Sequence, residues 1–171
     1  MSEGGGKGLD ALIVRGARQD DLAFMQRMLY EATNRPGEDW PAFKDCMEEP
    51  RNRRHWVGLM TREGDVGVIA ELARAPVGAA WVRRMRGDEL RSLDDPAVPV
   101  LAIAVESEYR GRGIGGRLMT ALLERVRNTG TGAIDLDTGS FNEAAVKLYH
   151  RQGFVDTGYH GEGIRMRIVF D

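Results

Sequence analysis

Glycines at positions 111, 113, 115 and 116, with arginines at 110 and 112, stand between an apolar run and a helical pattern. That combination is anion chemistry. The run Val98 to Val105 reads as a buried strand, and Ile114, Leu118, Leu122 and Val126 recur every four residues on one helix face. A strand turning through glycines into a helix presents main-chain N–H groups that have no partner inside the helix, and the helix dipole adds partial positive charge beside them. A phosphate or pyrophosphate is the natural occupant of such a concavity. Glycine at these positions keeps Cβ atoms out of it and permits backbone angles denied to other residues.

Gly111-x-Gly113-x-x-Gly116 also satisfies the dinucleotide fingerprint, with Asp135 or Asp137 roughly 20 residues on. Only about 55 residues follow the turn, too few for the further strand–helix units of that fold, and the strands upstream read as antiparallel. His55, His150 and His160 show no metal-ligand spacing, so no metal is expected. Gly139-Ser140-Phe141 lacks the pattern of a nucleophile elbow.

The elements that must position the turn follow from periodicity. Leu12 to Arg15 is a strand, and Asp20 and Asp21 open a helix carrying Leu22, Met25, Met28 and Leu29 on its apolar face. A second helix covers Trp40 to Glu48, closed by Pro50. Val66 to Arg74 and Val77 to Arg86 form an antiparallel pair joined across Ala75-Pro76, and Gly87 to Ala97 reads as a polar surface loop. After the glycine turn the helix runs to about Asn128, followed by a strand at Ala133 to Asp137. Ser140-Phe141-Asn142-Glu143 matches a capping box for a helix ending at Gly153. Strands at Phe154 to Tyr159 and Ile164 to Phe170 close the chain. The expected fold is α/β (α+β): a mixed, partly antiparallel sheet of about six or seven strands flanked by about four helices.

Length and composition bound the rest. The 171 residues suit one domain, taken as residues 10–171 behind a mobile glycine-rich tail at 1–9. A net charge of −2 gives no global pull toward nucleic acid or anionic membrane, so neither is expected as a partner. The arginine groups at 51, 53 and 54 and at 83, 84 and 86 read as solvated faces. A single cysteine, Cys46, suits a reducing cytoplasm, and no apolar run approaches the ~20 residues of a membrane span. The excess of arginine over lysine points to a GC-rich bacterial gene on composition alone.

Arg110-x-x-Gly113-x-Gly115 resembles the Arg/Gln-x-x-Gly-x-Gly/Ala signature of the GNAT N-acetyltransferase superfamily, placed after a strand as it is there. A second match follows, Asn142-x-x-Ala145-x-x-Leu148-Tyr149-x-x-x-Gly153-Phe154, and the resemblance covers about Leu12 to Phe170. It implies acetyl-CoA as cosubstrate and acetyl transfer to a primary amine, on a small molecule or a protein. Main-chain N–H groups of Arg110, Gly111, Arg112, Gly113, Ile114, Gly115 and Gly116 would hold the pyrophosphate. Ile103, Ala104 and Val105 would offer strand-edge groups to the pantetheine arm, Asn142 would bond it, and Tyr149 would lie near the sulfur. Asn142 equally reads as a helix cap, and Tyr149 as a core residue beside Ala145 and Val146.

Attack on a thioester needs a neutral amine. Freeing a lysine-like amine at pH 7 costs about 4–5 kcal/mol, an α-amino group only about 1 kcal/mol. A tyrosine hydroxyl can supply the proton that the departing thiolate takes, which fits Tyr149. In some GNAT members a glutamate on the strand before the signature is the base, but here that strand has no ionisable residue. Glu106 at its end and Glu71 on a neighbouring strand are the candidates. The acceptor side is assigned to the first two helices, including Arg35 to Trp40, and to the loop Gly87 to Ala97, with a lid role for the loop left open. The competing reading is a non-catalytic acyl-CoA-binding or sensing module, and a homodimer is left open.

Overall fold

The apolar run from Val100 to Val105 becomes a strand at the centre of a seven-stranded sheet. The computed structural model describes residues 11–34 and 37–171, so the expected tail and Arg35 and Pro36 lie outside the described residues. The strands are β1 (Leu12–Gly16), β2 (Val66–Leu72), β3 (Ala75–Arg83), β4 (Val100–Val105), β5 (Ala133–Gly139), β6 (Val155–His160) and β7 (Gly163–Val169). They lie in the order β1-β2-β3-β4-β5-β7-β6. Every neighbouring pair is antiparallel except β4 and β5, the parallel pair that a strand–helix–strand unit requires. This is the mixed α/β sheet expected.

Five helices flank it: α1 (Leu22–Thr33), α2 (Phe43–Glu48), α3 (Pro50–Trp56), α4 (Ile114–Arg127) and α5 (Glu143–Gln152). The sequence reading had Pro50 closing a helix, and here it opens α3. A proline at the first helical position gives up an N–H that would be unbonded anyway, and Glu49 before it caps both the end of α2 and the start of α3. The β2–β3 turn also sits two residues earlier than expected. Ala73 and Arg74 take φ of 51° and 67°, the left-handed pair that a tight hairpin demands. Pro76 lies inside β3, opposite Glu71 and beside a register shift at Ala70/Glu71.

The two faces of the sheet carry separate cores because β4 alternates between them. Leu101, Ile103 and Val105 pack with α4 and α5, through Leu118, Leu122 and Tyr149. Ala102 and Ala104 pack with α1 to α3, through Met25, Met28, Cys46 and Leu59. Beyond β5 the second face turns polar. Asp135 and Asp137 stand directly across from Arg167 and Arg165 of β7.

Arginines expected at the surface are part of this polar face. The Arg54 side chain is 2 % exposed and is paired with Asp94, which is 1 % exposed. Arg165 bonds Asp94 (2.8 Å) and Asp137 (2.6 Å), and Arg167 grips Asp135 at 2.6 and 2.8 Å. Arg83 is fully buried, held by Asp65 and the carbonyls of Val57 and Gly58. Asp94 therefore pins the 87–97 loop to α3 and β7, so the loop is anchored at its middle.

Candidate active site

Between β4 and β5 the register holds only at Val100↔Asp135, with Asp135 N–H also donating to Pro99 O at 3.0 Å. Further along, β4 stays bonded to β3, Ala102 to Trp81 and Val105 to Gly78, while its other edge loses its neighbour. The strands splay, and a cleft of about 960 Å³ opens through the sheet. It is lined from both faces, by Ile103, Val105 and Tyr149 on one and by Ala102, Trp40 and His55 on the other. A strand edge without a neighbouring strand inside a cleft is a template for an extended, amide-rich chain, and among the described residues only a side chain, Arg110 Nε, reaches it, at the Val105 carbonyl.

The glycine turn forms one end of this cleft. Gly111 and Gly113 have φ of 73° and 81°, and a Cβ built on either would meet nothing within 4 Å. Both need the left-handed region, and both leave the cleft open. Gly113 caps α4 without a side-chain partner, and the first bond back to its carbonyl comes from Arg117 N–H at 3.2 Å. The N–H groups of the helix's first turn thus have no helical acceptor, and they meet the cleft at Gly113 to Gly116. Gly115 serves differently: a Cβ there would come within 3.3 Å of Leu148, so this glycine lets α4 approach α5.

The arginines contribute less directly. Arg110 Nε donates to Val105 O at 2.9 Å, and its Nη2 sits 3.4 Å from Glu31. Arg112 lies over the Tyr109 ring. Both guanidiniums thus have contacts within the protein, while the turn's main-chain N–H groups stay without a helical acceptor. Asn142 caps α5, its Oδ1 accepting from Ala145 N–H at 3.3 Å, and it also lines the cleft. The helix-cap reading is therefore the one seen.

Tyr149, in the last turn of α5, is 7 % exposed and stands edge-on to Phe154 at 6.0 Å. No described protein group bonds its hydroxyl. Burial pushes that hydroxyl up to about 12, so it holds its proton throughout the physiological range.

Glu71 and Glu106 are not brought to this centre. Glu71 Oε1 accepts from Arg15 at 2.7 Å near the β1 edge. Glu106 is bonded by Arg27 and lines a separate hollow between α1 and the β3 start, with Phe24 and Pro76. The structure instead places Trp40, Asn52 and His55 in the cleft wall opposite Tyr149's face. Of these, Asn52 and His55 come from α3, the helix missed in the sequence reading. The signal was Glu49-Pro50 followed by seven residues without a breaker before Gly58, a helix start rather than a stop. Among the described residues, no group of three or more His, Cys, Asp or Glu could hold a metal ion. No described helix is long and apolar enough to cross a membrane.

A sequence profile of the Acetyltransferase (GNAT) family matches residues 26–154. This chain belongs to the GNAT acetyltransferase family. An uncharacterised N-acetyltransferase of Methanocaldococcus jannaschii is 26% identical over 146 residues, 82% of this GNAT chain and 59% of that relative. A mycothiol acetyltransferase of Propionibacterium freudenreichii is 30% identical over 121 residues, 66% of this chain and 35% of that one. This GNAT chain thus spans less than two-thirds of the length of these curated relatives. Among solved structures, a ribosomal-protein-alanine N-acetyltransferase from Brucella melitensis superposes with a TM-score of 0.68 at 22% identity, covering 92% and 99% of the two chains. The acetyltransferase yncA from Salmonella typhimurium, solved with its cofactor acetyl-CoA, gives 0.68 at 19% identity and 95% of each chain. At these identities the likeness is one of fold. In this GNAT fold the splay, the cradle and Tyr149 meet along one cleft.

Proposed function

We propose that the protein transfers an acetyl group from acetyl-CoA to a primary amine directly, within one ternary complex. The observation that carries this reading is the continuity of three features along one cleft: the left-handed glycine cradle, the β4 edge without a neighbouring strand and the buried Tyr149 hydroxyl. The residues fit the cosubstrate, since the cradle is free of Cβ atoms and a strand edge stands ready beside it.

Main-chain N–H groups from Gly111 to Gly116 would bind the pyrophosphate, and the Ile103 to Val105 edge would align the pantetheine arm. When bound, acetyl-CoA supplies an activated acyl carbon. Tyr149 holds its proton at Oη and can give it to a sulfur leaving group. The apolar wall of Leu101, Ile103 and Leu148 keeps water from competing with the amine.

The two candidate bases, Glu71 and Glu106, are bonded by Arg15 and Arg27 outside the cleft. The test is thiol release from acetyl-CoA over a panel of amines, with Tyr149→Phe beside the parent. Amine-dependent release that falls in the variant supports transfer. Tight acetyl-CoA binding with no release on any amine supports the sensing module instead.

A further inference from the structure

Two nitrogens in the cleft wall have no partner. Trp40 Nε1 and His55 Nδ1 are both buried, both line the cleft, and neither has a hydrogen-bond partner. Buried polar groups are rarely left this way, because each such group costs about 1–3 kcal/mol. Neither residue is loosely placed. Trp40 packs into the core of α1 to α3, and the carbonyl of His55 accepts from Trp81 Nε1 at 3.1 Å. Trp81 in turn pairs with Ala102 of β4. The pair therefore sits on the sheet face opposite α4 and α5, and reaches the splay from the side away from the glycine cradle.

An indole N–H can only donate, so Trp40 requires an acceptor atom. His55 is a neutral ring, because burial first, then the charges of Arg54, Arg91 and Arg83, lower it to about 3. A neutral ring can donate from Nδ1. Each of these arginines has a carboxylate partner, Asp94 for Arg54, Asp137 for Arg91 and Asp65 for Arg83. The cleft carboxylates near this wall are already engaged. Asp137 is bonded by Arg91 and Arg165 and lies 3.3 Å from His160, and Glu31 faces Arg110. Glu162 belongs to the β6–β7 turn, away from α3 in the chain. The indole N–H, with the His55 ring donating beside it in its Nδ1–H tautomer, takes an oxygen acceptor and offers an ammonium nothing to bond.

We propose that Trp40 Nε1 and His55 Nδ1 form an acceptor subsite for a carboxylate, and that the substrate is a small amine bearing one, of amino-acid type. This rests on the acetyl-transfer reading and adds the acceptor class to it. A polyamine is disfavoured because its second ammonium, a donor only, finds no acceptor in the indole N–H.

The test compares α-amino acids, their carboxamides and spermidine as acceptors in the thiol-release assay. An acid preferred over its amide by about 10- to 100-fold in kcat/KM is expected, matching one or two hydrogen bonds to a charged group. Trp40→Phe keeps an aromatic ring at the site and removes the donor. It should raise KM for the acid at least tenfold without raising that for its amide, and leave KM for acetyl-CoA within about twofold, while the smaller ring lowers the melting temperature through lost packing. Equal use of acid and amide, preference for spermidine, or an unchanged KM in Trp40→Phe overturns the subsite, as a water-satisfied indole would give.

Calorimetry of the CoA-bound protein with the same compounds separates the two readings. Acid binding lost in Trp40→Phe, with no turnover, sinks acetyl transfer but keeps the carboxylate subsite. Turnover with no carboxylate preference does the reverse.

Discussion

Replacing Gly113 by alanine separates backbone strain from cofactor contact. Gly113 has φ of 81°, and an L-residue held there costs about 1–2 kcal/mol. A Cβ at Gly113 meets nothing within 4 Å, so no steric penalty adds to that in the free protein. For a chain of this size, about 1 kcal/mol is about 2–4 °C in Tm. Gly130, just past the far end of α4, has φ of 76° and equally open space. Gly113→Ala and Gly130→Ala should therefore lose similar stability. Only the first puts a methyl group where main-chain N–H groups face the cleft. Displacing an anion from even one or two such bonds costs about 1.5–3 kcal/mol each, or more than tenfold in affinity. Titration calorimetry with acetyl-CoA on both variants, beside thermal melts, reads the two effects apart. A loss of affinity confined to Gly113→Ala, deepening to no measurable binding in Gly113→Glu, is expected. Equal affinity in the two alanine variants would refute the cradle.

Three further outcomes follow from buried groups. Tyr149→Phe should lower kcat by about 10²-fold or more with acetyl-CoA affinity nearly unchanged, and in the parent kcat should show no alkaline fall below pH 10, since Tyr149 keeps its proton to about 12. Asp94→Ala leaves the buried Arg54 without its carboxylate and deprives Arg165 of one of its bonds, so denaturant unfolding should show a loss of about 3–5 kcal/mol. Acid should weaken the fold in two stages. His55 is lowered to about 3, so its contribution is complete above its unfolded value near 6.5, and each pH unit below that removes up to about 1.4 kcal/mol until about 3. Burial alone would raise Asp94, but the Arg91 N–H and the Arg54 and Arg165 guanidiniums hold it below the usual range. Its contribution is therefore present above about 3.9 and is lost below it. Urea unfolding at pH 7, 5 and 4 measures the slope, which His55→Asn should flatten between 6.5 and 4.

Patterns local in sequence were readable, and long-range pairings were not. The strand, the glycine turn and α4 follow from an apolar run, positive-φ glycines and a four-residue apolar spacing, all within 30 residues. Asn142 and Gly153 bracket α5 by capping chemistry that a string displays. The ion pairs decided what the string could not. Glu71 meets Arg15 56 residues away and Glu106 meets Arg27 79 residues away, which takes both carboxylates from the cleft. Arg54 and Arg83 look like surface charge until Asp94 and Asp65 arrive from elsewhere in the chain. Pro50 reads as a stop because proline ends helices more visibly than it begins them, and with α3 went Asn52 and His55.

The most direct measurement is the structure of the protein crystallised with acetyl-CoA. The account predicts pyrophosphate oxygens at about 2.7–3.2 Å from main-chain nitrogens between Gly111 and Gly116, the pantetheine paired along Ile103 to Val105, and the thioester beside Tyr149 Oη. Pyrophosphate held by side chains alone, or acetyl-CoA seated away from the β4–β5 splay, would contradict it.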